Sequence, residues 1–561
     1  MNKFRILLIL VVCVCLLFHK SRALVWARSY TFIEKPSSTL LTVPLFHTND
    51  IHGGGFPSTI LFPEEDKNNG GLFALAALIN KRREELWKVY PDLMHNFLKT
   101  AGNDGILTLD AGDSVSGTYD DAQSVGLNMI KLMNSSALDY DAVTIGNHSS
   151  DYGLEPLMMN ISWRNCPVVL SNAKDVDTDD LIQGTVLSTV STINGIRFGI
   201  FALTHDRSTR IPGIKISAIE MAAKQMLPRL RKKSDIIVLL SHLGLDKEKH
   251  WCDQLGALDD DNPLMNIDII IDGHSHSRND FLLDEDTLVA QAGSYGHVAG
   301  EITLKIDPVT KKLVSADVKR HDLSTVNVND SKSLQLERPL IELNKKLNFE
   351  NQFVLVKNLH DFYFAKTSRS APGIENRASE FVARSLCEIP FGSSIEQADI
   401  GMVYQKGVRD KVASNDKGEI TNDILHRIVP FGEPVVIIKQ TGTEIEKLVK
   451  KGLVKKFSWA GLQVKFKEIT NKKGYVQRKL ISLKVFDRQS QAFVLLEPKQ
   501  VYRLGAVGFF SKVFVRPPSE NVLLCRKTNK EILLEFLKKY ATNREQYFTQ
   551  NDPMWPCNIY E

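Results

Sequence analysis

The sequence predicts an α/β protein of two domains, and three observations carry that prediction. The chain has 561 residues, more than one hydrophobic core usually organises. With 43% hydrophobic and 24% charged residues it has the balance of a folded globular protein, which excludes disorder and fibrous repeats. From about Leu40 to Asp307, apolar runs of strand length alternate with longer amphipathic segments, as in folds built from strand–helix crossovers.

The first domain is predicted to span residues 40–328. Apolar runs bounded by polar residues predict its strands, and apolar positions recurring every three or four residues predict its helices. The strand-like runs are 41–47, 106–112, 142–148, 235–244 and 266–276, and the helical segments are 71–90 and 218–233. Because each of these runs ends in polar residues, the carboxyl ends of the strands are the expected place for a site.

The second domain is predicted to span residues 351–549, followed by a tail over 550–561. A small, polar stretch precedes it, and residues 329–350 read as a linker helix interrupted at Pro339. Within the second domain, the pattern predicts a helix over 375–386 and strands over 433–442 and 482–487.

Residues 1–23 read as a signal peptide. Basic residues precede an apolar run from Ile6 to Phe18, and Ser21 to Ala23 offers small residues where a signal peptidase cuts. The run is shorter than the roughly 20 residues of a membrane span, so cleavage is favoured over an uncleaved anchor. The expectation is a secreted, extracellular protein without a membrane anchor. Four basic residues within this segment account for the net charge of +4. The rest of the chain therefore has no overall positive charge that would attract nucleic acid.

The cysteines and sequons fit an oxidising, secretory route. Cys525 and Cys557 are the first pair expected to form a disulfide, because both lie near the end of the chain. Acceptable glycosylation sequons begin at Asn134, Asn160 and Asn329. A fourth begins at Asn147, which is expected to be buried at a metal instead.

Potential metal ligands follow five separate strand-like runs. They are Asp50 and His52, then Asp113, Asn147, His242, and finally His274 and His276. Carboxylates mixed with imidazoles suit zinc, manganese or iron better than calcium. One tetrahedral ion needs fewer ligands, so the pattern predicts two divalent ions that together act on a phosphoryl group. Zinc is the first expectation, with manganese, magnesium or calcium as alternatives.

The motifs DIHG, GD, GNH, SH and GHSH, in this order, resemble those of the calcineurin-like metallophosphoesterases. The C-terminal part narrows the resemblance to the 5′-nucleotidase family, including salivary apyrases of blood-feeding arthropods. The family implies a four-layer α/β/β/α catalytic domain, a helical linker and a second α/β domain that binds the substrate. It also implies that Asp50, His52 and Asp113, with His276 as a fourth ligand, hold one metal. Asn147, His242 and His274 hold the other, and Asp113 bridges the two.

The resemblance also assigns catalytic and substrate-binding roles. His148 pairs with Asp151 and stabilises the transferring phosphoryl group or protonates the leaving oxygen. Phe431 and Phe509 are the two rings expected to sandwich the base, and Arg409 is the retained arginine of the pocket. The motif that begins with Asn in the family begins with Tyr404 here. The ribose-binding Asp of the family falls on Val515, so nucleoside selectivity is expected to be relaxed.

The function implied is a secreted, two-metal hydrolase of extracellular ATP and ADP, with AMP as a further substrate and an anti-platelet role in saliva. Two alternatives stay open at this point. One is a phosphoesterase of different specificity. The other is a catalytically weak member that binds a nucleotide or a host blood-cell surface protein.

Overall fold

The structure is a computed structural model, and it describes residues 26–31, 39–57, 70–89, 105–204, 213–244, 265–283, 287–326, 328, 338–364, 376–390, 397–455, 457–470, 476–543 and 558–560. The predicted signal peptide lies outside these residues. The chain divides into two compact units, Met1–Asn348 and Phe349–Glu561, so the division falls inside the predicted linker. Among the helices in the described ranges, none combines the length and the apolar character needed to cross a membrane.

Two sheets dominate the first unit. Within its described residues, one sheet has eight strands in the order β1-β16-β15-β2-β3-β4-β5-β7, another has six in the order β13-β14-β12-β11-β9-β8, and β10 pairs with β6. The strands are β1 (Trp26–Thr31), β2 (Leu41–Thr48), β3 (Leu107–Asp110), β4 (Ala142–Val143), β5 (Val168–Val169), β6 (Ala173–Asp175), β7 (Thr185–Val186), β8 (Ser188–Ile193), β9 (Ile196–Thr204), β10 (Ile214–Ile216), β11 (Ile236–His242), β12 (Ile269–Asp272), β13 (Arg278–Leu283), β14 (Thr287–Ala292), β15 (Val298–Ile306) and β16 (Leu313–Asp322).

The two sheets pack face to face, because alternate side chains of each strand enter a shared core. On β11, Val238 and Leu240 belong to this inner core, while Leu239 lies in the core on the opposite face, with the helix Ile219–Arg231. Other helices cover the outer face of the eight-stranded sheet, where Phe46 is buried. They include Gly71–Val89, Leu127–Met133, Leu154–Ser162 and part of Arg338–Asn351. The short helix Tyr119–Gln123 directly precedes Leu127–Met133 in the chain. The predicted four-layer α/β/β/α order is confirmed.

Two details of the first unit differ from the sequence-based expectation. The strand Trp26–Thr31 pairs antiparallel with β16, so the sheet begins before the predicted start at residue 40. The helix Arg338–Asn351 begins at Arg338, which places Pro339 in its first turn. Proline is tolerated there because the first amides of a helix have no partner within the helix, so it does not interrupt the segment.

The second unit is a smaller α/β arrangement. Within its described residues it has a five-stranded sheet in the order β23-β19-β27-β22-β28, a four-stranded sheet in the order β26-β25-β24-β29, and the pairs β17–β21 and β18–β20. The strands are β17 (Val354–Val356), β18 (Tyr363–Phe364), β19 (Ile400–Tyr404), β20 (Val412–Ala413), β21 (Ile420–Thr421), β22 (Pro434–Thr441), β23 (Phe457–Ala460), β24 (Leu462–Thr470), β25 (Val476–Asp487), β26 (Ala492–Leu495), β27 (Val501–Val507), β28 (Val522–Thr528) and β29 (Asn558–Tyr560). The helices are Arg377–Glu388, Asn422–Ile428, Gly442–Lys455, Gly508–Phe510 and Asn529–Thr542.

Three observations bear on expectations about the chain's periphery. Cys525 is a free thiol among the described residues, and its proposed partner Cys557 lies outside them, so that pairing stays a prediction. Residues 558–560 of the expected tail form a strand that runs parallel to β24. Asn160 is 5% exposed and its amide donates to the Val125 carbonyl, so its sequon is not accessible in the folded protein. Asn329 is outside the described residues.

Candidate metal centre and substrate site

The carboxyl ends of five strands in the first unit bring the predicted metal ligands together. Asp50 and His52 follow β2, and Asp113 follows β3. The remaining ligands lie at the ends of three further strands: Asn147 after β4, His242 as the last residue of β11, and His274 and His276 after β12. β2, β3 and β4 run parallel in one sheet, and β11 and β12 run parallel in the other. The site is therefore built from both sheets at the edge where their strands end.

The backbone turns sharply at these positions. Five of the seven ligands have a positive φ although none of them is glycine: Asp50 (50°), His52 (49°), Asp113 (53°), His274 (71°) and His276 (59°). Such a conformation costs on the order of 1–3 kcal/mol per residue and persists only where the surrounding structure imposes it. Hydrogen bonds between the strand ends impose it here, since the amides of Asp50 and His52 donate to the carbonyls of Gly112 and Asp113. Strain of this kind concentrates at functional sites.

Asp50 lies at the centre of the ligand cluster. Its Oδ1 is 3.4 Å from Nε2 of His276, 3.8 Å from Nε2 of His52 and 4.0 Å from Nε2 of His242. Asp50 is fully buried, and burial raises its pKa to about 7. Asn49 donates to its Oδ2 over 2.8 Å and thereby fixes the orientation of the carboxylate.

Two further pairs of ligand atoms face each other. Oδ2 of Asp113 is 3.0 Å from Nε2 of His242, and Oδ1 of Asn147 is 2.7 Å from Nδ1 of His274. Burial alone would lower the pKa of His242, but the Asp113 carboxylate outweighs burial and raises that pKa to about 10. Asn147 was expected to be buried, but it is only half-buried.

Backbone carbonyls decide which nitrogen of two histidines faces the cluster. Nδ1 of His52 donates to the Ser116 carbonyl over 2.8 Å, and Nδ1 of His242 donates to the Ala111 carbonyl over the same distance. Nε2 of each ring therefore faces the interior of the site, and it would present a lone pair there once a metal ion displaces its proton. Such outer hydrogen bonds fix the tautomer and orientation of metal-binding imidazoles.

The donor set fits divalent cations. Two groups of side chains hold their ligand atoms within 4.8 Å of one another, namely Asp50, His52 and His276, and Asp50, Asp113 and His242. Nε2 of His52 and Nε2 of His276 are 3.2 Å apart, a distance at which a shared proton or a shared cation must separate the lone pairs. Metal ligands must be deprotonated, so a bound cation would replace the protons that these groups otherwise share. Asp50 belongs to both groups, and the bridging role of Asp113 stays a prediction.

The predicted catalytic pair is formed beside the ligands. Nδ1 of His148 donates to Oδ2 of Asp151 over 2.7 Å, and the backbone amide of His148 donates to Oδ1 of Asp113 over 2.8 Å. Asp151 fixes Nδ1, so Nε2 of His148 is the nitrogen available to a ligand. The side chain of His148 is 19% exposed, so it is reachable from solvent. Between His148 and Asp151 in the chain, Ser149 is buried and its hydroxyl accepts from the Gly146 amide.

Ser116 is a site residue that the sequence reasoning missed. Its Oγ donates to Oδ2 of Asp151 over 2.6 Å, its carbonyl holds His52, and its amide donates to Oδ2 of the buried Asp121. Its own φ is 71°. A single residue thus positions a metal ligand and the partner of His148. The spacing of Ser116 three residues after Asp113 was visible, but a serine in a loop carries no distinctive pattern.

Tyr295 was also missed. Its ring centroid lies 5.4 Å from that of His52 and 5.6 Å from that of His276, and its amide donates to the Asp50 carbonyl. The tyrosine lies in a loop after β14, outside every ligand motif. No residue pattern in the sequence marks it as a neighbour of the imidazoles.

The predicted substrate-binding residues lie in the second unit. The guanidinium of Arg409 lies over the Phe431 ring, 5.1 Å from its centroid. The Phe509 ring is 49% exposed, and its backbone amide donates to Oε2 of Glu433, two residues after Phe431. This hydrogen bond therefore joins the loop that carries Phe431 to the one that carries Phe509. Tyr404 stands where the family has Asn, and its ring centroid lies 5.2 Å from that of Phe514. This position therefore belongs to an aromatic cluster in this chain.

Comparisons with known proteins agree with this architecture. The family model described as calcineurin-like phosphoesterase matches residues 43–278, and the model described as 5′-nucleotidase, C-terminal domain matches residues 356–511. Protein UshA of Yersinia enterocolitica is 23% identical over 94% of this chain and 95% of its own length. The apyrase of Aedes albopictus is 24% identical over 52% of this chain and 53% of its own. The structure of a 5′-nucleotidase precursor from Thermus thermophilus superposes with a TM-score of 0.68 at 20% identity, over 89% of this chain and 97% of that one.

The matched domains and the ligand groups define a metal-dependent phosphohydrolase of the metallophosphoesterase class. The C-terminal match narrows this class. The chain belongs to the 5′-nucleotidase family, whose members join these two domains.

Gly146 tests the ligand geometry directly. A Cβ at this position would lie 2.4 Å from Oδ1 of Asp113 and 2.4 Å from Nε2 of His242. Replacing Gly146 with alanine should push these ligands apart and remove tightly bound metal, as measured by the metal content after dialysis. Gly407→Ala is the matched control, because nothing lies within 4 Å of the added Cβ there. Metal content equal to that of the unaltered protein in Gly146→Ala would show that these atoms do not share an ion.

Substitution of Ser116 tests whether its hydroxyl orients Asp151 and thereby the catalytic pair. Ser116→Ala keeps the backbone hydrogen bonds but loses the bond to Asp151, so kcat should fall about 10-fold with the metals retained. Ser162→Ala, on the surface of a helix, should have no effect. An unchanged kcat in Ser116→Ala, or a loss of activity that follows a loss of metal, would contradict the positioning role.

Proposed function

We propose that the protein is a secreted, two-metal phosphohydrolase of extracellular nucleoside di- and triphosphates, with AMP as a further substrate. The observation that carries the proposal is the convergence of seven ligand side chains from five strand ends beside the His148–Asp151 pair. A protein that merely bound nucleotides would need neither the strained ligand positions nor the carboxylate held against Nδ1 of His148.

Asp50, His52, Asp113 and His276 would hold one ion, and Asn147, His242 and His274 would hold the other, with Asp113 shared. When bound, two divalent ions polarise a phosphoryl group and lower the pKa of a coordinated water. The mixture of imidazole and carboxylate donors supports zinc, with manganese as the next choice.

The residues of the chain then have separate tasks in phosphoryl transfer. His148 would donate a proton from Nε2 to the leaving oxygen or place positive charge beside the phosphoryl oxygens. Asp151 stabilises the positively charged ring by accepting from Nδ1. Because the amide of His148 donates to Asp113, a shift of the ligand would also shift the catalytic ring.

The choice of nucleotide would be made by the second unit. Phe431 and Phe509 offer faces on which a base can stack, a contact worth roughly 1–3 kcal/mol per base that is indifferent to base identity. Val515 offers no hydrogen bond to a sugar hydroxyl. Broad use of nucleosides is therefore expected, with phosphate charge as the common determinant. The apyrase from Aedes albopictus and the resemblance noted in the motifs support the preference for longer phosphate chains.

The apolar run over residues 6–18 supports export of the chain, and the resemblance to salivary apyrases motivates the proposed extracellular, anti-platelet role. Release of the chain without residues 1–23 follows from this proposal, and N-terminal sequencing of secreted material would establish the cleavage point.

Phosphate release by the purified protein tests the proposed activity. ADP and ATP should be hydrolysed faster than AMP, a chelator should abolish the activity, and added zinc or manganese should restore it. His148→Ala should lower kcat by a factor on the order of 10²–10⁴ while both metals stay bound, since the ring acts in the transition state. His360→Ala, which removes an exposed histidine of the second unit, should leave the kinetics unchanged.

Two outcomes would overturn the proposal or part of it. No phosphate release from any of the three nucleotides, with two metals confirmed, would indicate a protein that binds nucleotides without turnover. A change in KM alone for His148→Ala would assign that residue to substrate positioning and remove its catalytic role.

A further inference from the structure

Lys530 occupies an unusual position for a cation. It lies in the first turn of the helix Asn529–Thr542, where the positive end of the helix dipole disfavours another positive charge. It is half-buried, and burial lowers its pKa to about 8. Buried charges are normally paired with an opposite charge. In the described part of the chain, Lys530 forms no ion pair with a carboxylate.

A histidine holds the ammonium group of Lys530 in place. Nζ donates to Nδ1 of His426 over 2.6 Å, and His426 is itself 2% exposed. An imidazole that accepts from an ammonium group must be neutral, and burial together with the nearby Lys530 keeps the pKa of His426 well below its usual range. The contact therefore orients the ammonium group without cancelling its charge.

The ammonium group lies beside the turn that carries Phe431. A Cβ added at Gly432 would have only Lys530 atoms within 4 Å, with Nζ the nearest at 3.8 Å. The helix is joined to this turn, because the amide of Asn529 donates to the Glu433 carbonyl over 2.8 Å. The guanidinium of Arg409 lies over the Phe431 ring. Two cationic side chains, Lys530 and Arg409, thus both lie against the short loop that carries Phe431.

We propose that Lys530, oriented by His426, completes an anion site at the Phe431–Gly432 turn that takes a phosphate group of the nucleotide. The inference rests on the proposed function and adds a residue to it. Lys530 lies beyond the matched family region, which ends at residue 511, so the resemblance assigns it no role. A phosphate at this turn would supply negative charge to both the lysine and the arginine. Stacking on Phe431 would hold the base, and Lys530 would hold the charge.

Equilibrium binding to the full-length metal-loaded protein tests this assignment. The two probes are adenosine and a non-hydrolysable ADP analogue with a methylene bridge between its phosphates. Lys530→Met should weaken binding of the analogue about 10-fold and leave adenosine within about 2-fold, because only the analogue carries the anion. Lys530→Arg should restore most of the affinity for the analogue.

Lys527→Met is the matched control. Lys527 is three residues away, and its ammonium group is paired with Glu535 over 2.8 Å, so both probes should bind as they do to the unaltered protein. Equal loss of adenosine and analogue in Lys530→Met would assign the lysine to the shape of the base pocket and overturn the inference. An unchanged affinity for the analogue would also overturn it, while ADP hydrolysis by the unaltered protein would keep the proposed function intact. Failure of the unaltered protein to bind either probe would overturn both.

Discussion

Burial of negative charge at the ends of the strands is the constraint on which the first unit depends. Asp50 and Asp113 are almost fully enclosed, and each lies within 4.0 Å of Nε2 of His242. Carboxylates in such surroundings need protons, imidazolium groups or metal ions to be stable. The second sheet supplies three of the four imidazoles, His242, His274 and His276, so the full set of balancing groups is present only when both sheets are packed. This dependence makes the face-to-face packing of the sheets a requirement of the chemistry.

A second layer of contacts turns this charge balance into an oriented site. Carbonyls of Ser116 and Ala111 fix two imidazoles, and Asn49 fixes the central carboxylate. The same layer connects the metal ligands to the catalytic pair, since Ser116 contacts both His52 and Asp151. The orientation of His148 and that of the candidate ligand His52 therefore depend on the same layer, although different atoms would hold the metals and perform the chemistry.

Sequence patterns predicted the five strands that carry the candidate ligands because strands and ligands both follow from local rules. A buried strand is an apolar run in the sequence, and the polar residues at its end are the predicted ligands. The strand Trp26–Thr31 escaped prediction because its partner β16 lies almost 300 residues away. Ser116, Tyr295 and Lys530 escaped for the same reason, since their roles come from contacts that no local pattern encodes. The sequon at Asn160 proved to be buried because a sequon carries no information about burial.

Metal stoichiometry tests the central claim most directly. Purified protein loaded with zinc or manganese and freed of excess metal should contain two ions per chain, and activity should appear in proportion to occupancy of the second ion. A single ion at full activity, or full activity in the absence of bound metal, would contradict the account in which seven side chains from two sheets form one two-metal centre.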